Sequence, residues 1–494
     1  MQALLLINNS VFYFHLFRNR LLLFIIVFAI SLSGQTQKDT PVKPELIVKN
    51  KYYDLDKLPA SFHRERREAL RNLMPDSSVA VIFAAPIRNR SNDVDYEYHQ
   101  DPDFYYLTGL IEPHSVLFVF KTNQDFDSIQ TNELLFGQDH DPAEELWIGK
   151  RKGLKGIKSD YDITEVLEND QFADFHIDFS QYSRVFYHKS NNDIRDDITK
   201  RGDLASLIKH FQQKIDTVSN LEKDEFSLKE MMAALRQIKQ PAEIELMKKA
   251  IEITCEAQEE LMKAVLPGMR EYETEAVIEY IFKKRGAEYP GFPSIQGGGE
   301  NSCVLHYVHN RKTLTWDDLL VSDVGAEYHG YTADVTRTIP VAGEFSKEQL
   351  AIYSIVLSAQ KAGIEKCVPG NKFWEPHKAA KAVIVEGLRK LGIINSAGEV
   401  GKYFMHGTSH YLGLDVHDVG LFGSLKAGNV ITVEPGIYIA EGSDCDEKWW
   451  NIGVRIEDDI LITNTGFEIL SDCVPKEIEE IQEMMTKESL FHVE

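Results

Sequence analysis

Short apolar runs with strand character recur in the first half of the chain: SVAVIFAA at 78–85, SVLFVF at 115–120, ELLFG at 133–137 and RVFYHK at 184–189, with polar, helix-compatible stretches between them. That alternation predicts an α/β domain over residues 50–220. The period then changes. After Gln240 and Pro241, apolar residues Ile244, Met247, Ile251, Cys255, Met262 and Val265 return at three- and four-residue steps until Pro267 and Gly268 stop them. One long amphipathic helix is expected there. Residues 273–285 repeat the pattern and end at Gly286, a C-cap position. From Leu319 onward strand-like segments dominate (DLLVSDVG, YTADVTRTIPV, NVITVEPGIYI and GVRIEDDILIT), with another helix around 346–362. The second half therefore reads as an α+β domain over 221–475, followed by a tail at 476–494.

Residues 21–33, LLLFIIVFAISLS, carry no charge, follow Arg18 and Arg20, and give way to small and then polar residues. This is the layout of a secretory signal peptide over 1–34, with a linker at 35–49 and export to the periplasm or beyond. Retention of the segment as an uncleaved membrane anchor is the alternative. The stretch before Arg18 is long for such a leader, so the true start is expected downstream of Met1. The chain has 54 Lys plus Arg against 77 Asp plus Glu, a formal net charge of -23, and no long basic block. Nucleic acid is excluded as a partner, and small or peptidic substrates are expected. Five cysteines (Cys255, Cys303, Cys367, Cys445 and Cys473) are scattered without a C-x-x-C pair, which predicts neither a disulfide framework nor a thiolate zinc site. Mostly or entirely free thiols are expected.

Candidate chemistry lies in the second half. Asp323 and Asp334 sit in two apolar segments joined by AEYHGY. A hairpin turning between Tyr328 and His329 makes them direct cross-strand neighbours, which repel unless a cation lies between them or one carboxyl is protonated. A divalent metal is the simplest remedy; a solvated turn residue is the plain alternative. His406, His410 and His417 fall within FMHGTSHYLGLDVHDVG, a cluster that suits a metal or catalytic site, a pH-sensitive loop or satisfied core imidazoles. Glu434 and Glu457 are acids set in apolar strands, where a lone acid more often faces solvent.

The ordered set Asp323, Asp334, His410, Glu434 and Glu457, in the motifs SDVGAEYHGYTADVTRT, MHGTSHYLGLDVHDVG, TVEPGIYI and NIGVRIEDD, resembles the dinuclear metallopeptidases of the pita-bread fold, aminopeptidase P most closely. The likeness extends to GGGENSCVLHY and to YHQDPDFYYLTGL at 98–110, which is similar to the signature of that family's N-terminal domain, and it spans about residues 50–475. The resemblance implies an α/β N-terminal domain before a pita-bread catalytic domain. It implies Asp323 as ligand of one metal, Asp334 and Glu457 as bridges, and His410 with Glu434 on a second metal. Four carboxylates then neutralise two divalent cations. Manganese is the ion the family suggests, and zinc, cobalt or iron would suit the same donors.

The implied activity is release of the N-terminal residue from peptides with proline at position two, through a hydroxide held between the metals. Glu434 is implied as proton shuttle, His306, His406 and His417 as substrate-side histidines, Arg455 as orienting Glu457, and Tyr438 as ordering water. Residues around 406–414 would supply the proline pocket, and the N-terminal domain its wall and an oligomer surface in a dimer or tetramer. Prolidase, which prefers dipeptides, shares the metal set and is the alternative. A non-catalytic pita-bread interaction module is the reading from another class, but such modules lose ligands and all five are present here.

Overall fold

Side-chain alternation in the first strands divides the N-terminal half between two cores. In the computed structural model, which describes residues 56–126, 129–189 and 198–491, this half comprises α1 (Ala60–Leu73), β1 (Ser78–Phe83), α2 (Pro102–Thr108), β2 (Val116–Phe126), β3 (Ile129–Gly137), β4 (Val166–Glu168), β5 (Arg184–Tyr187) and β6 (Glu222–Asp224), among shorter elements. The six strands form one mixed sheet in the order β4-β3-β2-β1-β5-β6, with β1 antiparallel to β2 and parallel to β5. Val79 and Val81 point into a core rich in phenylalanine, with Phe118, Phe120, Phe136, Phe172 and Phe211. Ala80 and Ile82 point the other way, into a core that continues through the helices of the second half. Residues 1–49, read as signal peptide and linker, lie outside the described residues.

The second half contains α3 (Ser227–Arg236), α4 (Pro241–Ala264), α5 (Glu271–Lys284), β7 (Tyr289–Pro290), β8 (Ile295–Gly298), β9 (Leu319–Val324), β10 (Ala326–Tyr328), β11 (Tyr331–Thr332), β12 (Val335–Pro340), α6 (Lys347–Ile364), α7 (Glu375–Lys390), β13 (Val430–Val433), β14 (Gly436–Ile439), β15 (Ile452–Arg455), β16 (Asp458–Ile462), β17 (Phe467–Ile469) and α8 (Ile478–Met485). α4 is the long expected helix, begun by a capping box between Gln240 and Glu243. α5 starts two residues before the expected 273, because the Glu273 carboxylate accepts the Arg270 N–H at 2.6 Å and draws the first turn back. Residues 476–494, expected as a tail, carry α8, and Ser489 and Leu490 donate to Glu260 Oε1 at 2.8 and 2.6 Å.

Two expectations are corrected. The hairpin turns at His329 and Gly330, with φ of 49° and 83°, the positive pair that a two-residue turn of this twist requires. Tyr328 therefore pairs with Tyr331, and Asp323 faces Thr336 rather than Asp334. Because the slip is by two residues, Asp334 stays on the same face as a diagonal neighbour. The hairpin also bends at Gly325, where a Cβ would lie 1.7 Å from the Ala333 carbonyl oxygen. Second, Cys255 and Cys473, 218 residues apart, form a disulfide, while Cys303, Cys367 and Cys445 are free. A separation of that length has no local signal in the sequence.

Candidate active site

Four strand ends and one loop carry the five acidic and imidazole groups to a single cavity. Asp323 stands on β9, and Asp334 immediately before β12, where the bend at Gly325 turns it inward. Glu434 follows β13 and Glu457 lies between β15 and β16. His410 is placed by its main chain, which exchanges bonds with Thr432 on β13. Donor atoms of Asp334, His410 and Glu457 all lie within 4.8 Å of one another. His410 Nε2 is 3.3 Å from Asp334 Oδ2 and 3.6 Å from Glu434 Oε1. Its Nδ1 is 3.0 Å from the Tyr411 carbonyl, which can only accept, so Nδ1 carries the proton and the Nε2 lone pair faces the carboxylates.

So many buried acids are repelled into their neutral forms. Burial, then the charges of Asp323, Asp459 and Glu434, drive Asp334 far above the usual carboxylate range. Glu457 is also raised well above that range, by burial and then by Asp334, Glu434 and Asp323. Glu434 is pushed up by burial to about 7, partly offset by His410 and Arg455. The donor set fits divalent cations: oxygens with one bare imidazole nitrogen suit such ions, and buried Asp323 Oδ1 has no hydrogen-bond partner among the described residues. Asp323, Asp334, His410, Glu434 and Glu457 would hold the ions.

A buried polar layer holds these candidate ligands. Arg455 reaches Asp323 Oδ2 at 2.6 Å and donates to Tyr438 Oη at 3.0 Å and to Thr336 Oγ1 at 3.2 Å. Thr336 donates to Glu457 Oε2 at 2.6 Å. Arg455 thus touches Asp323 directly and Glu457 only through Thr336, because β15 runs beside the start of β12. Tyr438 Oη is 2.9 Å from His406 Nε2, while His406 Nδ1 gives its proton to the Gly407 carbonyl at 2.6 Å, so Tyr438 donates to the imidazole. Burial and then the Arg455 charge lower His406 to about 4. His417 packs edge-on against His410 with ring centres 4.4 Å apart, and burial followed by His410 and His306 lowers its pKa.

The cavity encloses about 560 Å³ and gathers His306, His406 and His417 with all five candidate ligands. Its apolar wall is Phe292, Ile295, Leu305, Val308 and Val416. Two expectations about the wall change. Of residues 406–414, His406, Gly407, Ser409 and His410 line the cavity, whereas Tyr411, Leu412 and Leu414 point into the cores. Among the described residues, none of the N-terminal half lines the cavity; that half instead grips the outer end of the hairpin, through His99 on Glu327 at 2.9 Å and Tyr105 Oη on the His329 carbonyl at 3.0 Å. Sequence reasoning missed Asp459, which accepts the Asp334 N–H at 3.1 Å, and Thr336. The signal for Asp459 was present: three successive acids in an apolar strand, all of them buried here.

Comparison with known proteins agrees with this geometry. Residues 63–187 match the family model of the aminopeptidase P N-terminal domain, and residues 245–464 that of metallopeptidase family M24. The chain is 37% identical over 436 residues to the Xaa-Pro aminopeptidase of Escherichia coli K12, covering 85% of this chain and 97% of that one. The structure of Pseudomonas aeruginosa aminopeptidase PepP superposes with a TM-score of 0.79 at 35% identity, over 87% of this chain and 99% of that one. Zinc-substituted Escherichia coli aminopeptidase P in complex with product superposes with a TM-score of 0.78 at 35% identity, with the same coverage. The second half accordingly has the pita-bread fold and binds divalent metal. This chain belongs to the aminopeptidase P family of M24 metallopeptidases.

Proposed function

We propose that the protein is a metallo-aminopeptidase that removes the N-terminal residue from peptides with proline at position two, using two divalent ions, manganese in the native state. The observation that carries this reading is the meeting of five ligands and three histidines in one cavity with an apolar wall. Bound divalent ions supply Lewis acidity toward the scissile carbonyl and a nucleophile at neutral pH. The chain's own groups do the rest. Glu434, whose Oε2 is 3.7 Å from His406 Nδ1, is placed to take the proton of the attacking water and return it to the leaving nitrogen. His417, lowered by burial, stays neutral near pH 7 and can donate an N–H to the substrate carbonyl without adding charge, and His306, which lines the same cavity, is read as serving the residues beyond the scissile bond. Arg455 and Tyr438 hold Asp323 and His406 in place. The leaving nitrogen of an Xaa-Pro bond has no N–H, so a site that offers that atom no acceptor loses nothing.

We read the domains as 50–220 and 221–475, the assembly as a dimer or tetramer, and the location as exported through the segment ending near residue 34. The Cys255–Cys473 disulfide supports export, since such bonds persist in oxidising compartments. The test compares Mn²⁺-loaded and chelated protein on Arg-Pro-Pro, on the dipeptide Ala-Pro and on a peptide without proline. Release of free arginine from the tripeptide, abolished by chelation, is expected. Turnover of the dipeptide alone would make the protein a prolidase, and silence on all three with metal bound would refute the substrate class.

A further inference from the structure

Behind the ligands, on the side away from the cavity, Arg337 of β12 is fully buried and its guanidinium joins two stretches of backbone. It donates to the carbonyls of Glu457 at 2.6 Å and Thr336 at 2.9 Å, on the ligand strands. It also donates to the carbonyls of Val474 and Pro475, each at 3.0 Å, in the segment 471–476. Asp458 Oδ1 supplies the counter-charge at 2.8 Å, and the same carboxylate accepts from Ser471 Oγ at 2.7 Å and from Lys476 Nζ at 2.6 Å. Asp459, which holds the Asp334 N–H, donates its own N–H to Ser471 Oγ at 3.0 Å. Residues 471–476 therefore close over the back of the turn that carries Glu457 and supply acceptors that a buried guanidinium needs.

Cys473 lies in the middle of this segment and is exposed, while its partner Cys255 on α4 is 4% exposed. Around Cys255, α4 holds the other ligand strands: Thr254 Oγ1 accepts the Ala326 N–H at 2.9 Å, and Gln258 Nε2 donates to the carbonyls of Ser322 and Val335 at 3.0 and 2.9 Å. The disulfide thus ties the segment behind Glu457 to the helix that fixes the strands of Asp323 and Asp334.

We propose that residues 471–476 are a strap that positions Glu457 and Asp334 for metal, and that the Cys255–Cys473 disulfide latches it, so that the oxidised chain retains its ions longer than the reduced chain. The inference rests on reading the five-residue set as a metal centre. Opening the latch needs a thiol reductant. A thiolate attacks Sγ of Cys473, the more exposed residue of the pair, the S–S bond breaks with its electron pair on Cys255 Sγ, and that sulfur takes a proton. A second thiol displaces the mixed disulfide, so two electrons and two protons reach the pair and the reductant leaves as a disulfide. A freed strap takes with it the Val474 and Pro475 carbonyls and the Lys476 ammonium, and the Arg337–Asp458 pair that holds the Glu457 main chain must rearrange.

The test loads the full chain with Mn²⁺ and follows loss of the ion to excess chelator, for oxidised protein, for protein reduced with a dithiol that is then removed, and for C255A/C473A. Release from the reduced chain and from the double variant is expected to be about tenfold faster, as for other groups that support metal ligands. The dithiol should not alter the double variant, and C445S, which lacks only a free thiol, should match the oxidised chain. Equal release from oxidised and reduced protein overturns the proposal, as does a count of five rather than three free thiols in the unreduced, denatured chain. If reduction lowers the unfolding temperature of the metal-free protein but leaves Mn²⁺ release unchanged, the bond is a general cross-link and the proposal also falls. Failure of every form to retain Mn²⁺ would instead refute the metal-centre reading itself, and this inference with it.

Discussion

Removal of metal should make the stability of this protein depend on pH in a way the loaded protein does not share. Without cations the fold must keep protons on the crowded acids. Glu434 alone moves from 4.5 to about 7, and Asp334 and Glu457 move further in the same direction. The unfolded chain loses the Glu434 proton above about pH 4.5 while the folded chain keeps it to about pH 7, so the folded state binds more protons across that window. The stability of the chelated protein therefore falls as pH rises through the window and goes on falling above it, because Asp334 and Glu457 hold their protons to higher pH than Glu434 does. One carboxyl shifted by that much corresponds to about 3 kcal/mol, or about 3 °C in unfolding temperature for a chain of this size.

Bound divalent ions replace those protons, so the loaded protein is spared the loss and the gap between the two forms should widen from about pH 5 to about pH 8. Glu243 and Asp101 are also raised by burial, to about 7 and about 6, but they lie outside the centre and act equally in both forms. The difference between the two melting curves therefore isolates the site. Thermal unfolding followed by circular dichroism, with and without chelator, measures it. Glu434→Gln should remove its share of the slope from the chelated protein. A gap that stays constant across the range, or a chelated protein whose stability is flat between about pH 5 and about pH 7, would refute the reasoning.

Three further outcomes are expected. Gly325→Ala places a Cβ 1.7 Å from the Ala333 carbonyl oxygen and should destabilise the chain by on the order of 4 kcal/mol, read as loss of soluble protein or of a cooperative melt. Arg236→Met takes the guanidinium from Asp103, Asp415 and Asp418 and leaves Asp103 with His188 at 2.9 Å and Asp418 with Lys239 at 2.8 Å; urea unfolding should show a loss of about 3 kcal/mol or more. His99 is raised by its bond to Glu327, so its contribution is present below about pH 6.5 and fades as pH rises through the higher folded value. Because the pair is partly exposed, His99→Ala should cost below about 1 kcal/mol at low pH and nothing at high pH, as the difference in melting temperature between variant and parent across that range.

The five candidate ligands were legible because an acid in an otherwise apolar strand has no ordinary place to go, and because the five stand in family order. The hairpin register was not. Symmetric spacing of Asp323 and Asp334 suggested a turn at 328 and 329, whereas the residues able to take positive φ are His329 and Gly330. The slip of two preserved the face, so the conclusion about paired carboxylates survived a wrong pairing. The source of the cavity wall and the 255–473 disulfide were not legible, because each depends on which faces meet in space. The run Glu457, Asp458, Asp459 shows the limit most sharply. Three neighbouring acids have like chemistry, yet one faces the cavity, one neutralises Arg337 at 2.8 Å and one holds the Asp334 main chain at 3.1 Å. Alternation along a strand tells that Asp458 points away from its neighbours. It does not tell that an arginine waits on that side. That arginine is what makes a second buried acid beside Glu457 tolerable: with Arg337 and Lys476 against it, Asp458 is held below the usual carboxylate range, while burial drives Asp459, which has no cation bonded to it among the described residues, far above.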